Sequence, residues 1–462
     1  MPAPAADASR DARRRGRGAP LRRVPAPGEV EALGRAAGLA AVGVAPAAPF
    51  LTTRRHLERR KAAGLHGGMS FTYRRPERST DPGAALPGAQ ALVVGAWAYR
   101  RTAPAPPPAS PDRPAPPAPP GAPGSAGPVA WATPAPGSQA VPSPGRTGAA
   151  PAGTVARYAW EDHYGPLRAG LREIAAALKA EGWRARVLVD DNALHDREAA
   201  YRAGLGWYGK NANLLLPGSG SWFVLGSVVT DAPIEVTPPA ERVADGCGAC
   251  TRCLTACPTG AIVAPGVVDA RRCLAWLLQA EGPFPPEHRV ALGGRIYGCD
   301  DCQEVCPPNR RAERLDPHPA AAGSGAQPSV DLLAMLAASD DELLARLGRW
   351  YVPRRDPRYL RRNALVALGN VGDAADPAVA RALLWALAEP DAIVRGHAVW
   401  AARRLGRPDL IATVADDPDP LVRAELATAV PVRPDSRPAA VPVAAGRDDG
   451  GRAAVTADGG ER

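Results

Sequence analysis

Seven of the eight cysteines in this 462-residue chain fall in two short runs. CGACTRCLTACPTG covers 247–260 and CDDCQEVCPPN covers 299–309, and Cys273 alone stands outside them. Cys247, Cys250, Cys253 and Cys257, closed by Pro258, have the spacing C-x2-C-x2-C-x3-C-P. Thiolates at that spacing hold [4Fe–4S] clusters, whose chemistry is electron transfer. The second run keeps the end of the pattern, with Cys299, Cys302, Cys306 and Pro307, and its first member is displaced to Cys273. Zinc sites use paired C-x2-C knuckles, not three cysteines at consecutive three-residue steps ending in Cys-Pro. Disulfides are the third reading, and a reducing compartment disfavours them.

The spacing resembles that of two-cluster bacterial ferredoxins, in which the fourth cysteine of each run ligates the other cluster. On that analogy one cluster takes Cys247, Cys250, Cys253 and Cys306. The other takes Cys257, Cys273, Cys299 and Cys302. No cysteine is left over.

The cysteine domain, expected over 241–314, accounts for a small part of the chain, so the chemistry or a cofactor must lie elsewhere. The spacing predicts a multidomain α+β and α/β protein with an α/β domain over 28–240. Within it GEVEALGRAAGLAAVGVAP reads as helix, glycine stop and strand, and Ala91–Tyr99 as a buried strand. Leu167, Leu171, Ile174 and Leu178 mark a helix, with strands at Arg186–Asp190 and Ser221–Asp231. A Pro/Ala-rich insertion over 102–152 cannot bury a core and reads as disordered. Residues 1–27 read as a disordered basic extension and 431–462 as a disordered tail. Over 329–430, DPRYLRRNALVALGN, PDAIVRGHAVWAARRLG and DPLVRAELATAV repeat a Pro or Asp before an apolar turn and an arginine, the pattern of HEAT-like helical repeats.

The formal charge is +9, and Lys appears only at Lys61, Lys179 and Lys210, so arginine carries it. A nucleic-acid partner and a GC-rich coding sequence both explain such a balance. No apolar run is long enough to span a membrane, and RRRGR at 13–17 lacks the apolar stretch of an export signal. A cytoplasmic location is expected.

The most suggestive stretch of the α/β domain is VLVDDNALHDREAAYRAGLGWYGKNANLLL, 187–216. Asp190 and Asp191 end a strand, where α/β folds place catalytic groups. An Asp there equally caps a helix, here one beginning near Ala193. GLGWYGKN follows a helix, so it is no dinucleotide phosphate loop. Its glycines either admit a large flat group or form a turn. His163 and His195 are potential metal ligands, although an isolated histidine is more often structural.

With these motifs in place, the chain resembles the epoxyqueuosine reductase family from about Val30 to Val430, outside the insertion. The matching segments are LPG (86–88), RYA (157–159), AGLGWYGKN, GSWFVLG, CGACTRCLTACPTGAI, VDARRC and RIYGCDDCQEVCPPNR. The resemblance implies cobalamin between the α/β and cluster domains, clusters that feed it electrons, and reduction of epoxyqueuosine to queuosine at the wobble position (34) of tRNA. It implies Asp190 as proton donor, and Asp190, Arg78, Lys210, Asp300, Asp301 and Gln303 as cobalamin contacts. It also implies an unidentified electron donor, a monomer and no membrane. The family's V-D-S-A-P reads V-D-D-N-A here, which puts a second acid, Asp191, beside the first. A positioned acid suits the chemistry, because an opening epoxide leaves an oxygen that must be protonated.

If RNA is the substrate, Arg361, Arg362, Arg395 and Arg423 are expected to form a phosphate-binding face. Two other readings use the same motifs: a reductive dehalogenase-like reductase of a small molecule, and a non-catalytic ferredoxin-type carrier. Cobalamin binding separates the carrier from the enzymes, and a tRNA requirement separates the two enzymes.

Overall fold

The runs AVGVAP, ALVVGAWA, ARVLV and FVLGSVVT become the strands of one sheet, because each offers β-branched or small apolar residues to two buried faces. The computed structural model describes residues 22–71, 73–99, 150–236, 245–315 and 325–433. The first body opens with α1 (Pro27–Ala36), β1 (Ala41–Pro46), α2 (Leu51–Ala62), α3 (Pro76–Ser79), α4 (Pro82–Ala85) and β2 (Ala91–Ala98). After the insertion come β3 (Ala152–Val155), α5 (Tyr164–Ala180), β4 (Ala185–Val189), α6 (Asp196–Arg202), the small pair β5 (Trp207–Tyr208) and β6 (Leu214–Leu215), and β7 (Phe223–Thr230).

The sheet order is β1-β2-β7-β4, and every neighbour is antiparallel. Helix–strand alternation suggested an α/β domain; with every pair antiparallel, the sheet is of the α+β kind. The strands carry the near-continuous apolar runs of a parallel sheet because both faces are covered. Val30 of α1 and Leu167, Leu171 and Ile174 of α5 pack on one face. Phe50, Leu194, Ala199 and Ala200 pack on the other.

β3 leaves this sheet. It pairs with β10 (Arg295–Tyr297) and β11 (Ser329–Asp331), so the chain just after the insertion belongs to the cluster and helical bodies. The edges of three expected disordered segments also shift. Residues 22–27 are placed, with Trp183 Nε1 donating to the Arg23 carbonyl at 2.8 Å. Residues 150–152 lead into β3, and Arg433 donates to the Asn370 carbonyl at 2.6 Å. The remainder of 1–27, 102–152 and 431–462 lies outside the described residues.

The cluster body holds α7 (Arg252–Ala256), β8 (Ile262–Ala264), β9 (Val267–Val268), α8 (Leu274–Leu277), α9 (Pro286–Leu292), then β10, α10 (Asp301–Glu304) and α11 (Pro307–Leu315). The helical body follows β11 with α12 (Leu332–Ala337), α13 (Asp340–Leu347), α14 (Arg358–Val371), α15 (Pro377–Leu387), α16 (Ala392–Arg404) and α17 (Pro420–Ala427). Of the Asp residues in the three repeat segments, Asp391 and Asp419 are N-caps, accepting from backbone N–H groups of a first turn, whereas Asp356 precedes the Pro357 cap of α14. Asp331 and Asp376 cap α12 and α15 in the same way.

One apolar core runs from the cluster body through the helical body. Charged groups lock the two together. Arg289 of α9 forms a bidentate pair with Glu425 of α17 at 2.8 and 2.6 Å, both buried. Arg362 is fully buried and donates to the carbonyls of Ala280, Gly282, Leu277 and Leu278. Most of the expected phosphate face is therefore committed within the protein, and only Arg423 stays exposed. Arg361 pairs with Asp340, Arg395 pairs with Asp417, and Arg423 donates to the Pro418 carbonyl. Among the described residues, no helix is long and apolar enough to cross a membrane.

Candidate functional site

The first body and the cluster body face each other across a cavity of about 1780 Å³. That exceeds the roughly 300–1,000 Å³ of a usual small-molecule pocket. One wall comes from α2, from Leu65, Met69, Phe71 and Tyr73, from Tyr99 and Tyr164, and from the start of α6; the other comes from 257–279 and 299–303. The polypeptide ties the walls together around it. Arg60 Nη2 donates to the Gly266 carbonyl at 2.9 Å, Trp276 Nε1 to the Gly67 carbonyl at 2.8 Å, and Ala270 N to the Leu65 carbonyl at 2.8 Å.

The cysteines gather in two places. Burial pushes the Cys306 thiol up to about 11, and the charges of Cys247, Cys253 and Cys250 add to it. Cys253 is raised by burial and by Cys247 and Cys250. Burial also lifts Cys302 well above its ordinary value, with Cys299, Cys273 and Cys257 as like-charged neighbours. Cys299 goes up to about 12, again mainly by burial, and Cys273 bears on it. The displaced Cys273 therefore stands with Cys257, Cys299 and Cys302, and Cys306 stands with the first run. All eight are free thiols. Bound iron would reverse the burial penalty, because a coordinating thiol is deprotonated outright. Ala261 N donates to Cys257 Sγ at 3.1 Å, the kind of bond that tunes a cluster's potential. Cys257, Cys273, Cys299 and Cys302 all line the cavity, and Cys247, Cys250, Cys253 and Cys306 do not. Among the described residues, no three His, Cys, Asp or Glu side chains converge as they would for a single metal ion.

Asp190 follows β4 with φ 52°, a left-handed conformation that a non-glycine residue adopts at a cost. Its side chain is exposed, yet the surrounding protein pushes its carboxyl above the ordinary value. Arg168, held by the Val189 carbonyl, opposes that rise, and Asp191 adds to it. Asp190 stands beside the cavity wall but does not line it. Its neighbours Tyr164 and Asp196 do line it, and both feel its charge. α6 starts at Asp196, later than the expected Ala193, and Asp191 caps only the preceding turn by accepting from Ala193 N at 2.9 Å.

Beyond this loop, sequence reasoning missed Asp196 and weighed His195 only as a metal ligand. Asp196 Oδ1 and His195 Nδ1 are buried without a protein partner, and both residues line the cavity. Burial lifts the Asp196 carboxyl well above its ordinary value, and burial lowers His195 to about 3, so the imidazole is neutral near pH 7. Tyr73, Tyr99, Tyr158 and Tyr164 add aromatic wall. His163 is not placed as a ligand. It is buried and stacked on Tyr99 with centroids 5.1 Å apart.

The remaining candidates divide. Asp300, Asp301 and Gln303 line the cavity. Asp300 accepts from Arg157 N at 2.7 Å, and burial raises its carboxyl to about 6. Asp301 is held by Arg295 at 2.6 Å. Arg78 is exposed on α3 and Lys210 Nζ donates to the Gly248 carbonyl at 2.6 Å, and neither lines the cavity. Lys210 is thus a strut onto the first cysteine run. GLGWYGKN carries β5 and packs closely on β6, since a Cβ at Gly206 would come within 2.0 Å of the Leu215 carbonyl oxygen, and its Gly204, Gly206, Tyr208 and Asn211 line the cavity.

A second strut explains GSGSW and CPPN together. Asn309 is buried; its Oδ1 accepts from Ser221 N at 2.6 Å, and its Nδ2 donates to Ser221 Oγ at 3.0 Å and to the Gln303 carbonyl at 2.8 Å. Gly220 has φ 65°, and a Cβ there would sit 2.0 Å from Asn309 Oδ1.

Two cysteine sets, one bordering a large cavity walled by a second body, define a double-cluster iron–sulfur oxidoreductase. Residues 246–309 match the 4Fe-4S double cluster binding domain. An epoxyqueuosine reductase of Bacillus cereus is 30% identical over 381 residues, which cover 82% of this chain and 88% of the relative. One of Xanthomonas campestris is 39% identical over 257 residues, covering 54% and 70%. The fold matches a crystal structure of epoxyqueuosine reductase with an epoxyqueuosine-modified tRNA-Tyr stem loop, with TM-score 0.69, 27% identity, and 86% and 96% of the two chains covered. It also matches the Bacillus subtilis enzyme with its catalytic aspartate loop swung out of the active site, with TM-score 0.66, 26% identity and the same coverage. The chain belongs to the epoxyqueuosine reductase family.

Proposed function

We infer that the chain reduces epoxyqueuosine to queuosine at the wobble position (34) of tRNA. The observation that carries the reading is the cavity bordered by one complete cysteine set and by the Asp190 loop. Cys257, Cys273, Cys299 and Cys302 hold the cluster at the cavity, and Cys247, Cys250, Cys253 and Cys306 hold the one behind it.

Cobalamin fits the cavity by size, by its tyrosine walls, and by the unpartnered His195 Nδ1 and Asp196 Oδ1, which can serve the amide rim of a corrin. When bound, it supplies the low-potential metal chemistry that opens the epoxide, fed with electrons by the two clusters. His195, Asp196, Asp300, Asp301 and Gln303 are the residues that would hold it. Arg78 and Lys210 stand off the wall and are not part of this set.

The protein's task is then positioning and proton supply. Loss of the epoxide oxygen as water takes a pair of electrons and a pair of protons. Asp190 gives one proton, solvent gives the other, and the raised pKa of Asp190 keeps more of it protonated near neutral pH. Because it stands beside the wall, its loop must move inward to deliver that proton, as the swung-out loop of the Bacillus subtilis relative suggests by analogy.

The domain reading is an α+β cofactor domain, a ferredoxin-type domain and HEAT-like helical repeats acting as one cytoplasmic monomer, with an electron donor not yet identified. The test is complementation. In a bacterium lacking its own reductase, expression of this chain should convert tRNA epoxyqueuosine to queuosine. Persistence of epoxyqueuosine despite soluble, cluster-loaded protein would contradict the reading.

A further inference from the structure

Three of the four arginines expected to meet RNA, Arg361, Arg362 and Arg395, are committed to partners within the protein, and Arg423 alone of them is exposed without an ion pair among the described residues; a denser run of positive charge lies elsewhere along the chain. Between residues 51 and 79 there are eight cationic side chains (Arg54, Arg55, Arg59, Arg60, Lys61, Arg74, Arg75 and Arg78) against two carboxylates, Glu58 and Glu77. That net of +6 is two thirds of the formal charge of the whole chain, +9. These residues form α2, α3 and the segment between them. Arg54 fixes α2 to α3 by donating to Thr80 Oγ1 at 3.1 Å and to the Glu77 carbonyl at 3.0 Å.

Arg55, Lys61, Arg74, Arg75 and Arg78 are exposed, and none forms an ion pair among the described residues. Elsewhere the guanidiniums of Arg157, Arg184, Arg202, Arg295 and Arg407 all meet carboxylates. The inner face of α2, with Thr52, Thr53, His56, Arg59 and Arg60, lines the cavity, and so do Phe71 and Tyr73. The unpaired cations therefore form a collar at the rim of the site.

We propose that this α2–α3 collar is an RNA-docking surface that grips the phosphate backbone beside the nucleotide entering the cavity. The proposal rests on the functional reading above and adds the surface that seats the substrate. Unpaired cations on a rigid pair of helices suit a polyanion, since each phosphate neutralised releases counterions. An acidic electron-donor protein matches the charge but not the place. Electrons must enter by the cysteine set away from the cavity, and the collar rims the cavity itself.

The test is binding of a fluorescein-labelled tRNA anticodon stem–loop by cluster-loaded protein, measured by anisotropy across a salt series. The variant is R55Q/K61Q/R74Q/R75Q, which leaves the cavity-lining Arg59 and Arg60 intact. The slope of log affinity against log salt should fall by about 2–3, and affinity near 0.1 M salt should drop tenfold or more. E58Q, which removes the one carboxylate of α2, should tighten binding. Slope and affinity within twofold of the parent in both variants would overturn the proposal, as would competition from an acidic flavoprotein that blocks RNA only in the parent. Binding is read without turnover, so the two readings separate. A parent that binds RNA through the collar but leaves epoxyqueuosine unreduced keeps this surface and loses the assigned reaction.

Discussion

Replacing Asn309 with Ala should loosen the junction between the two walls of the cavity. Asn309 is 1% exposed and Ser221 4%. Truncation removes the Asn309 side-chain hydrogen bonds and strands one buried backbone group, the Ser221 N–H; the Gln303 carbonyl keeps Cys306 N at 3.1 Å, and Ser221 Oγ keeps the Gln303 side chain at 2.9 Å. At about 1–3 kcal/mol for an unsatisfied group, the local cost is about 2 kcal/mol. Native-state hydrogen exchange reads that directly. At about 1.4 kcal/mol per decade, protection of the Ser221 amide should fall roughly thirtyfold. Gly220→Ala should weaken the same amide by another route. Its Cβ would meet Asn309 Oδ1 at 2.0 Å, and φ 65° costs a side chain about 1–2 kcal/mol. Removing the Asn309 side chain relieves that clash, so the double variant should cost less than the sum. Protection within threefold of the parent in Asn309→Ala, or strict additivity, would refute the argument.

Asp190→Asn should lower kcat by about 10²–10⁴, the usual worth of a positioned acid. Because the protonated carboxyl is the active form, activity falls as pH rises through its pKa. Asp191→Asn removes a charge that raises this pKa, so the alkaline limb should move to lower pH; Arg168→Gln removes a charge that lowers it, so the limb should move to higher pH. Identical pH–rate profiles for both variants would count against Asp190 as the donor. For the clusters, Cys306→Ala and Cys250→Ala should each remove the same half of the bound iron, and the double variant should remove no more. Additive loss would place Cys306 with the other set. In the helical body, Glu425→Ala leaves Arg289 buried and uncompensated, which should cost about 3–5 kcal/mol in thermal or denaturant unfolding. A loss under 1 kcal/mol would mean the pair is dispensable.

Local pattern carried much of the fold. The strands at 91–98 and 223–230 and the helix at 164–180 stand where apolar runs and periodicity put them. The crossed cysteine sets were read from spacing; in the fold Cys306 has Cys247, Cys253 and Cys250 as charged neighbours, and Cys302 has Cys299, Cys273 and Cys257. Pairing direction was not legible. Burial on both faces gives antiparallel strands the composition of parallel ones, and nothing in AGTV announces that β3 crosses to another sheet. Charge was equally silent about use. Arg362 and Arg55 are the same residue type, yet one is fully buried against carbonyls and the other is exposed and free of ion pairs. Asn309 and Asp196 act through partners or cavities that only the folded chain assembles. The left-handed turn at Asp190 had no signal, since the residue there is not glycine.

The central claim is that this chain uses clusters, cobalamin and Asp190 to remove the epoxide oxygen. The most direct measurement is anaerobic. Cluster-loaded protein, cobalamin, a strong reductant and epoxyqueuosine-containing tRNA are combined, and the digested nucleosides are weighed by mass spectrometry. The account predicts loss of one oxygen atom, abolished without cobalamin and strongly slowed by Asp190→Asn. Undiminished conversion without cobalamin, or no conversion by protein that holds both clusters and cobalamin, would contradict it.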